Sequence, residues 1–394
     1  MTVGGQALLT LNAGSSSFKF GLFSNSDQPE VRLRGAVTGI GGDARLKLKD
    51  ASGKTLTDID LHDSTTHGTA LSRALELLPR YERFAGLAAV GHRIVFGGPG
   101  RSAPTALDEA VLRELEEFVP FAPLHQPFNL AGVRAAMDAF PGALQVGCFD
   151  TAFHRTQGWL QDTFALPREW FERGVRRYGF HGLSYDYIAG VLRERYPKLG
   201  AGRVLVAHLG NGASMCALSD GKSVDSTMGF TALDGLPMGT RCGQLDPGVV
   251  LYLVDQLSMT TAAVEDLLYR RSGLLGLSGE SNDMRALLTS ESEAAADAVR
   301  YFVSRVQREV GALTSVLQGL DGLVFTAGIG ENSPEIRSRV CAGLRWLGVE
   351  LDDVANERGD ACISSDSSAV TVLALPTNEE LVIARALRAA LAGA

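Results

Sequence analysis

No uninterrupted hydrophobic run of about 18 residues occurs in this 394-residue chain, so no membrane-spanning helix and no membrane partner are expected. Cysteine is scarce. The five residues Cys148, Cys216, Cys242, Cys341 and Cys362 are widely spaced and form no C-x-x-C pair. An odd number in a long chain indicates neither a disulfide framework nor a zinc site, and fits reduced thiols packed as small hydrophobes. A positive balance is missing too: 37 Lys and Arg stand against 45 Asp and Glu, a formal charge of −8. That balance offers no general footprint for nucleic acid or anionic lipid. Met1 to Gln6 lack the basic stretch of a signal peptide, so a cytoplasmic protein is the expectation.

Glycine is abundant instead. Its 45 residues exceed the usual share of about 7%, and they cluster, which points to tight loops between strands. With 45% hydrophobic and 21% charged residues the chain is globular, and its length predicts two or three domains. Apolar runs at Ala7 to Asn12 and Phe18 to Phe23 flank a small Gly-containing link and read as a β-hairpin. The pattern returns with Val204 to Leu209 and Met215 to Leu218. A third run, Gly322 to Ala327, leads into a Gly-rich loop, Gly328 to Asn332. Asn12 and Asn211 lie 211 − 12 = 199 residues apart, half the chain, which suggests two halves of related build. Ala295, Val299, Phe302, Val306, Val310, Leu313 and Leu317 recur at helical spacing, with Ser290 and Glu293 as a capping box and Gly319 as the stop. A last helix is expected from near Thr377 through Leu391. Strands alternating with helices indicate an α/β architecture.

Phosphate binding needs converging backbone N–H groups with little side chain in the way. Asn12-Ala13-Gly14-Ser15-Ser16-Ser17-Phe18-Lys19 supplies them together with three hydroxyls and a cation, although not in the Walker spacing. His208 to Ser214 and Gly328 to Pro334 are two further candidates. Three such turns fit a nucleotide gripped by separate loops.

In order along the chain stand Asn12 to Lys19, Gly91-His92-Arg93, Phe149 to His154, Gly179-Phe180-His181-Gly182 and His208 to Ser214. Met238-Gly239-Thr240-Arg241, Gly328 to Asn332 and Thr377-Asn378-Glu379-Glu380 follow. Together they closely resemble the acetate kinase family, from about residue 8 to residue 385. The resemblance implies two duplicated actin-like ATPase (ribonuclease H-like) α/β domains flanking an active-site cleft, in a homodimer. The implied domains are 1–152, with a C-terminal helix 380–394 packing back on it, and 153–379, which carries the nucleotide site. It also implies reversible Mg-ATP-dependent phosphorylation of acetate to acetyl phosphate and ADP, with Mn²⁺ as a substitute metal. Phe96, Leu183, Tyr185, Gln126, Ala232, Cys242, Gln244, Glu280 and Asn282 depart from the family pattern. They leave acyl specificity and nucleotide preference open.

Phosphoryl transfer to a carboxylate brings two anions together and calls for cations. By resemblance, Arg93 and Arg241 position acetate and stabilise the transferring phosphoryl group, and His181 donates to one of its oxygens. Asp150 serves Mg²⁺ and its waters or acts as an acid. Asn12 and Glu379 match the Mg²⁺ positions, and Mg²⁺ prefers oxygen ligands while retaining waters. Val95, Leu124, Phe180 and Ala232 would enclose the acetate methyl, with His125 beside them. Lys19, Ser15, Ser17, His208, Leu209, Gly210, Asn211 and Gly212 would hold ATP. So would Asp283, Met284 and Arg285, and Gly328, Ile329, Gly330, Glu331 and Asn332. The competing expectations are a propionate or butyrate kinase, a sugar kinase, and an actin- or chaperone-like ATPase switch. A sugar kinase needs a general base for its hydroxyl, whereas an ionised carboxylate needs none.

Overall fold

The computed structural model describes residues 5–14, 17–61, 66–82, 86–123 and 125–393. Ser15 and Leu124 therefore lie outside the described residues. The chain forms two compact units, residues 1–153 with 378–394, and residues 154–377.

The first unit is built on an eight-stranded sheet. Its strands are β1 (Ala7–Ala13), β2 (Ser17–Ser24), β3 (Val31–Thr38), β4 (Arg45–Asp50), β5 (Thr55–Asp60), β6 (Leu87–Ile94), β7 (Thr105–Ala106) and β8 (Leu144–Phe149), in the order β5-β4-β3-β2-β1-β6-β8-β7. The β1–β2 hairpin pairs Asn12 with Lys19, and β1, β6 and β8 run parallel. One face of the sheet buries Leu9, Leu11, Phe18, Phe20 and Leu22 against Ala70, Leu71, Ala74 and Leu78 of the helix His67–Tyr81. The other face receives the C-terminal helix Glu379–Gly393. A Cβ on Gly91 would stand 2.3 Å from Ile383 Cγ2 and 3.1 Å from Leu387 Cγ, so glycine is what admits that helix. Asn378 caps it by accepting from Leu381 N–H at 3.1 Å. The cap is thus Asn378 rather than Thr377.

The second unit carries β9 (Arg203–Leu209), β10 (Ala213–Ser219), β11 (Lys222–Ser226), β12 (Gly322–Thr326) and β13 (Thr371–Ala374), ordered β11-β10-β9-β12-β13. A hairpin strand lies antiparallel on one side of β9 and parallel strands on the other. Around β1 the order β3-β2-β1-β6-β8 repeats this arrangement strand for strand, so each half of the chain builds the same sheet centre. The helix Glu293–Leu317 covers the second sheet with the seven apolar residues that its periodicity marks, all buried. Its cap is Ser292, which accepts from Ala295 N–H, rather than Ser290, whose hydroxyl is bonded to Glu280. Gln318 takes the left-handed turn and Gly319 N–H closes back on Thr314 O. The Gly-rich segment after β12 is a short helix, Ala327–Asn332, and not a loop. Pro334 then starts the helix Pro334–Ala342. No helix among the described residues is long and apolar enough to cross a membrane.

Candidate active site

Parallel strands deliver their functional groups at their carboxyl ends, and in the first unit three strands do so together. Arg93 is the penultimate residue of β6, and Asp150 follows β8 directly. Arg93 Nε donates to Asp150 Oδ1 at 2.9 Å and Nη2 to Oδ2 at 2.7 Å, while Nη1 lies 3.3 Å from Glu379 Oε2 at the start of the C-terminal helix. Burial opposes the Arg93 charge, but Asp150 and Glu379 more than offset it and raise the guanidinium pKa above its ordinary value. Asp150 is only 2% exposed and gives both oxygens to Arg93, so the Nε edge of the guanidinium is committed to it. Leu11 pairs with His92, which puts Asn12 and Arg93 next along their strands. Exposed Lys19 stands opposite Asn12. Ser17 opens β2, and its carbonyl accepts from Gly14 N–H.

Beyond Arg93 the backbone of Val95, Phe96 and Gly97 is held by side chains. Asn129 accepts from Val95 N–H, Gln126 from Phe96 N–H, and Thr151 from Gly97 N–H. Gln126 is fully buried and also donates to Phe96 O at 2.9 Å. Phe96 and Gln126, two of the departures from the family pattern, are therefore bonded to each other. His125 immediately precedes Gln126 at the head of the helix Gln126–Ala139.

The second unit contributes a separate cluster. His181 precedes the helix Gly182–Arg195 in a left-handed conformation, φ 57°. Its ring stacks on His208 with centroids 4.2 Å apart, and its Nδ1 is 2.8 Å from Ser214 Oγ. The hairpin register that pairs Ser214 with His208 sets both contacts. A Cβ on Gly212 would lie 3.3 Å from His181 Nε2 and 3.4 Å from Arg241 Nη2, so these two nitrogens converge on one point. Arg241 is steadied by donating Nη1–H to Ala232 O at 2.7 Å. Its loop is pinned where Gly273, φ 62°, passes so close that a Cβ would meet Met238 O at 2.1 Å. Phe180 is buried, and its carbonyl accepts from His154 Nε2–H at 2.9 Å. Burial holds the His154 pKa down at about 4, so this histidine is a neutral brace for the Phe180–His181 turn.

A cavity of about 480 Å³ opens at the ends of β9 and β12. Gly210 and Asn211 line it from one side, Asp283, Met284 and Arg285 from another, and Gly328, Ile329 and Asn332 from a third. Asn282 and Ser333 complete it: Ser333 belongs to the Gly328 to Pro334 segment, and Asn282, noted only as a departure from the family pattern, adjoins Asp283. His208, Leu209, Gly212, Gly330 and Glu331 do not line it. Leu209 is fully buried in the sheet. Glu331 instead accepts from Ala327 N–H at 2.8 Å and Thr377 N–H at 3.0 Å, fixing the Ala327 turn at φ 64°. Arg337, 1% exposed, donates to the carbonyls of Gly330 and Glu331 and braces the same wall from behind.

The fold is one shared by acyl-group kinases. The crystal structure of a Porphyromonas gingivalis acetate kinase matches 98% of this chain and 100% of its own at 36% identity, with a TM-score of 0.87. A Francisella tularensis propionate kinase matches 97% and 98% at 33% identity, with a TM-score of 0.90. The chain belongs to the acetokinase family, whose model spans residues 7–385. It is 50% identical over 390 residues to the acetate kinase of Methylocella silvestris, covering 96% of both chains. It is 52% identical over 382 residues to that of Rhizobium meliloti, covering 96% of this chain and 97% of the relative.

Proposed function

We propose that this chain is an acetate kinase that moves the terminal phosphoryl group of ATP onto the carboxylate of acetate, reversibly, giving acetyl phosphate and ADP. Family membership supports the reaction class, and the observation that carries the chemistry is the convergence of His181 Nε2 and Arg241 Nη2 on the Gly212 position. Phosphoryl transfer asks the protein mainly for positioning and for donors aimed at the charge on the moving group. In this reading the 480 Å³ cavity takes the nucleotide. The Gly212 point, immediately after cavity-lining Gly210 and Asn211, takes the transferring phosphoryl oxygens. Arg93 meets acetate through the N–H groups of Nη1 and Nη2 not turned to Glu379 and Asp150, because Asp150 holds its Nε edge and Glu379 pairs with Nη1.

Asn12 and Glu379 are the residues that would hold Mg²⁺. Their donors are an amide and a carboxylate oxygen, which fit a hard cation that keeps most of its waters. Among the described residues no cluster of three His, Cys, Asp or Glu forms a ready-made cage, as such a two-donor site requires none. When bound, Mg²⁺ neutralises phosphate charge. The chain acts as a cytoplasmic homodimer in this reading.

One observation favours a wider acyl range. Ala232 stands where the family pattern has Pro, and the propionate kinase is as close in fold as the acetate kinase. A hydroxylamine-trapped assay with Mg-ATP and acetate, propionate, butyrate or glycerol separates the readings. Acyl hydroxamate from acetate is expected and ADP release with glycerol is not. ADP release with glycerol but no hydroxamate from any acid would overturn the proposal.

A further inference from the structure

We propose that Tyr185 and Ser214 are positioning residues that hold His181 in the tautomer with its proton on Nε2, the atom turned toward Gly212 and Arg241. The inference rests on the reading of His181 as a donor to the phosphoryl group.

Ser214 Oγ lies 2.8 Å from His181 Nδ1 and 2.5 Å from Tyr185 Oη, and both Ser214 and Tyr185 are fully buried. A serine has one proton to give. When it goes to Nδ1, that nitrogen is an acceptor, the neutral ring carries its proton on Nε2, and the phenol O–H donates to Ser214 Oγ. The reverse polarity puts the proton on Nδ1 and turns an Nε2 lone pair toward the Gly212 point, where it would repel a phosphoryl oxygen. Only the first arrangement makes His181 a donor where the reaction needs one.

The surroundings favour this neutral donor. Burial raises the Tyr185 pKa well above 10, so its phenol keeps the proton it donates. The ring of His208, itself bonded through Nδ1 to Ser184 Oγ at 2.8 Å, stacks face to face on His181, and the Arg241 guanidinium approaches the same Gly212 position. The guanidinium charge disfavours a second cation at that point. The sequence places the parts economically. Ser184 and Tyr185 are consecutive on the helix that His181 begins, and His208 and Ser214 are paired across one hairpin. Tyr185 is also a departure from the family pattern.

The test is an ¹⁵N–¹H ring correlation spectrum of the intact labelled enzyme at pH 7.5, with the His181 signals assigned by His181→Gln. The Nε2–H tautomer is expected in the wild type and a mixture in Tyr185→Phe. Losing one such hydrogen bond should lower kcat about 3–10-fold, with KM for ATP and acetate within about twofold. In the His181→Gln background the same Tyr185→Phe change should leave kcat unaltered, because no tautomer remains to be set. Ser214→Ala gives the same readouts should the tyrosine variant not fold. An Nδ1–H tautomer or an imidazolium in the wild type would overturn the inference, as would an equal cost of Tyr185→Phe in both backgrounds. The spectrum is independent of turnover. A wild type that makes no acyl phosphate would defeat the functional reading and leave the tautomer assignment standing.

Discussion

Replacing Gly212 by alanine should disable the enzyme without disturbing its fold. Gly212 is not among the glycines with positive φ, so the backbone accepts a side chain. The added methyl would sit 3.3 Å from His181 Nε2 and 3.4 Å from Arg241 Nη2, tight contacts that the ends of these two side chains relieve by shifting slightly. It would also occupy the point proposed for the phosphoryl oxygen, which needs donors at about 2.7–3.1 Å. Loss of one such donor costs about 10²–10³ in kcat, and here a single methyl screens two. We expect kcat/KM to fall at least about 100-fold while Tm stays within about 2 °C. ATP affinity should change little, since Gly212 does not line the cavity proposed for the nucleotide. Steady-state kinetics, thermal melting and calorimetric ATP titration measure the three quantities. A folded variant with kcat/KM within threefold of wild type would show that His181 and Arg241 do not act at this point.

Arg241→Ala should lower kcat about 10³–10⁵-fold with ATP affinity nearly intact, the signature of a transition-state arginine; activity within a few-fold of wild type would refute the role. For the acyl group, propionate should be used with kcat/KM within about tenfold of acetate, since one methylene in such a pocket is worth 1–3 kcal/mol. Ala232→Pro should restore the preference, keeping the carbonyl that holds Arg241; strong rejection of propionate by the wild type would refute the pocket assignment. Stability should respond to acid through His92 and His154, whose buried rings have pKa values pushed down to about 4. Both take up protons on unfolding from about pH 6.5, so stability is complete above that pH and falls toward pH 4, by on the order of 3 kcal/mol per histidine. Melting curves from pH 7.5 to 4.5 check this, and a flat profile in that window would contradict it.

Both sheet centres were legible in the sequence because each is a hairpin of apolar runs closed by a small polar turn, a local signal. The buried stripe from Ala295 to Leu317 was legible for the same reason. Helix ends were less so: Ser290 and Ser292 carry the same hydroxyl, and only the Glu280 contact decides that Ser292 caps. The helical state of Gly328 to Asn332 was hidden because glycine predicts a loop, while the contacts that hold it as a helix leave no spacing signal. Glu331 caps the turn, and Arg337 lies a turn further on. The Arg93–Glu379 pair spans most of the chain, and no spacing rule reports it. Arg93, Asp150, His181 and Arg241 were named through resemblance, since a lone loop arginine or histidine carries no sign of what faces it.

The C-terminal helix has a consequence for how the molecule comes into being. Its residues complete the first unit, yet the whole second unit, 154–377, is synthesised before them. On the ribosome the first sheet must therefore wait with its face at Gly21 and Gly91 uncovered until residues 379–393 have been made. The intervening unit is contiguous and able to fold meanwhile, which shortens the effective loop that the late closure spans. Arg93 meets Glu379 only when that closure is made, so a chain stopped before residue 379 carries the cavity proposed for the nucleotide but lacks the carboxylate beside Arg93.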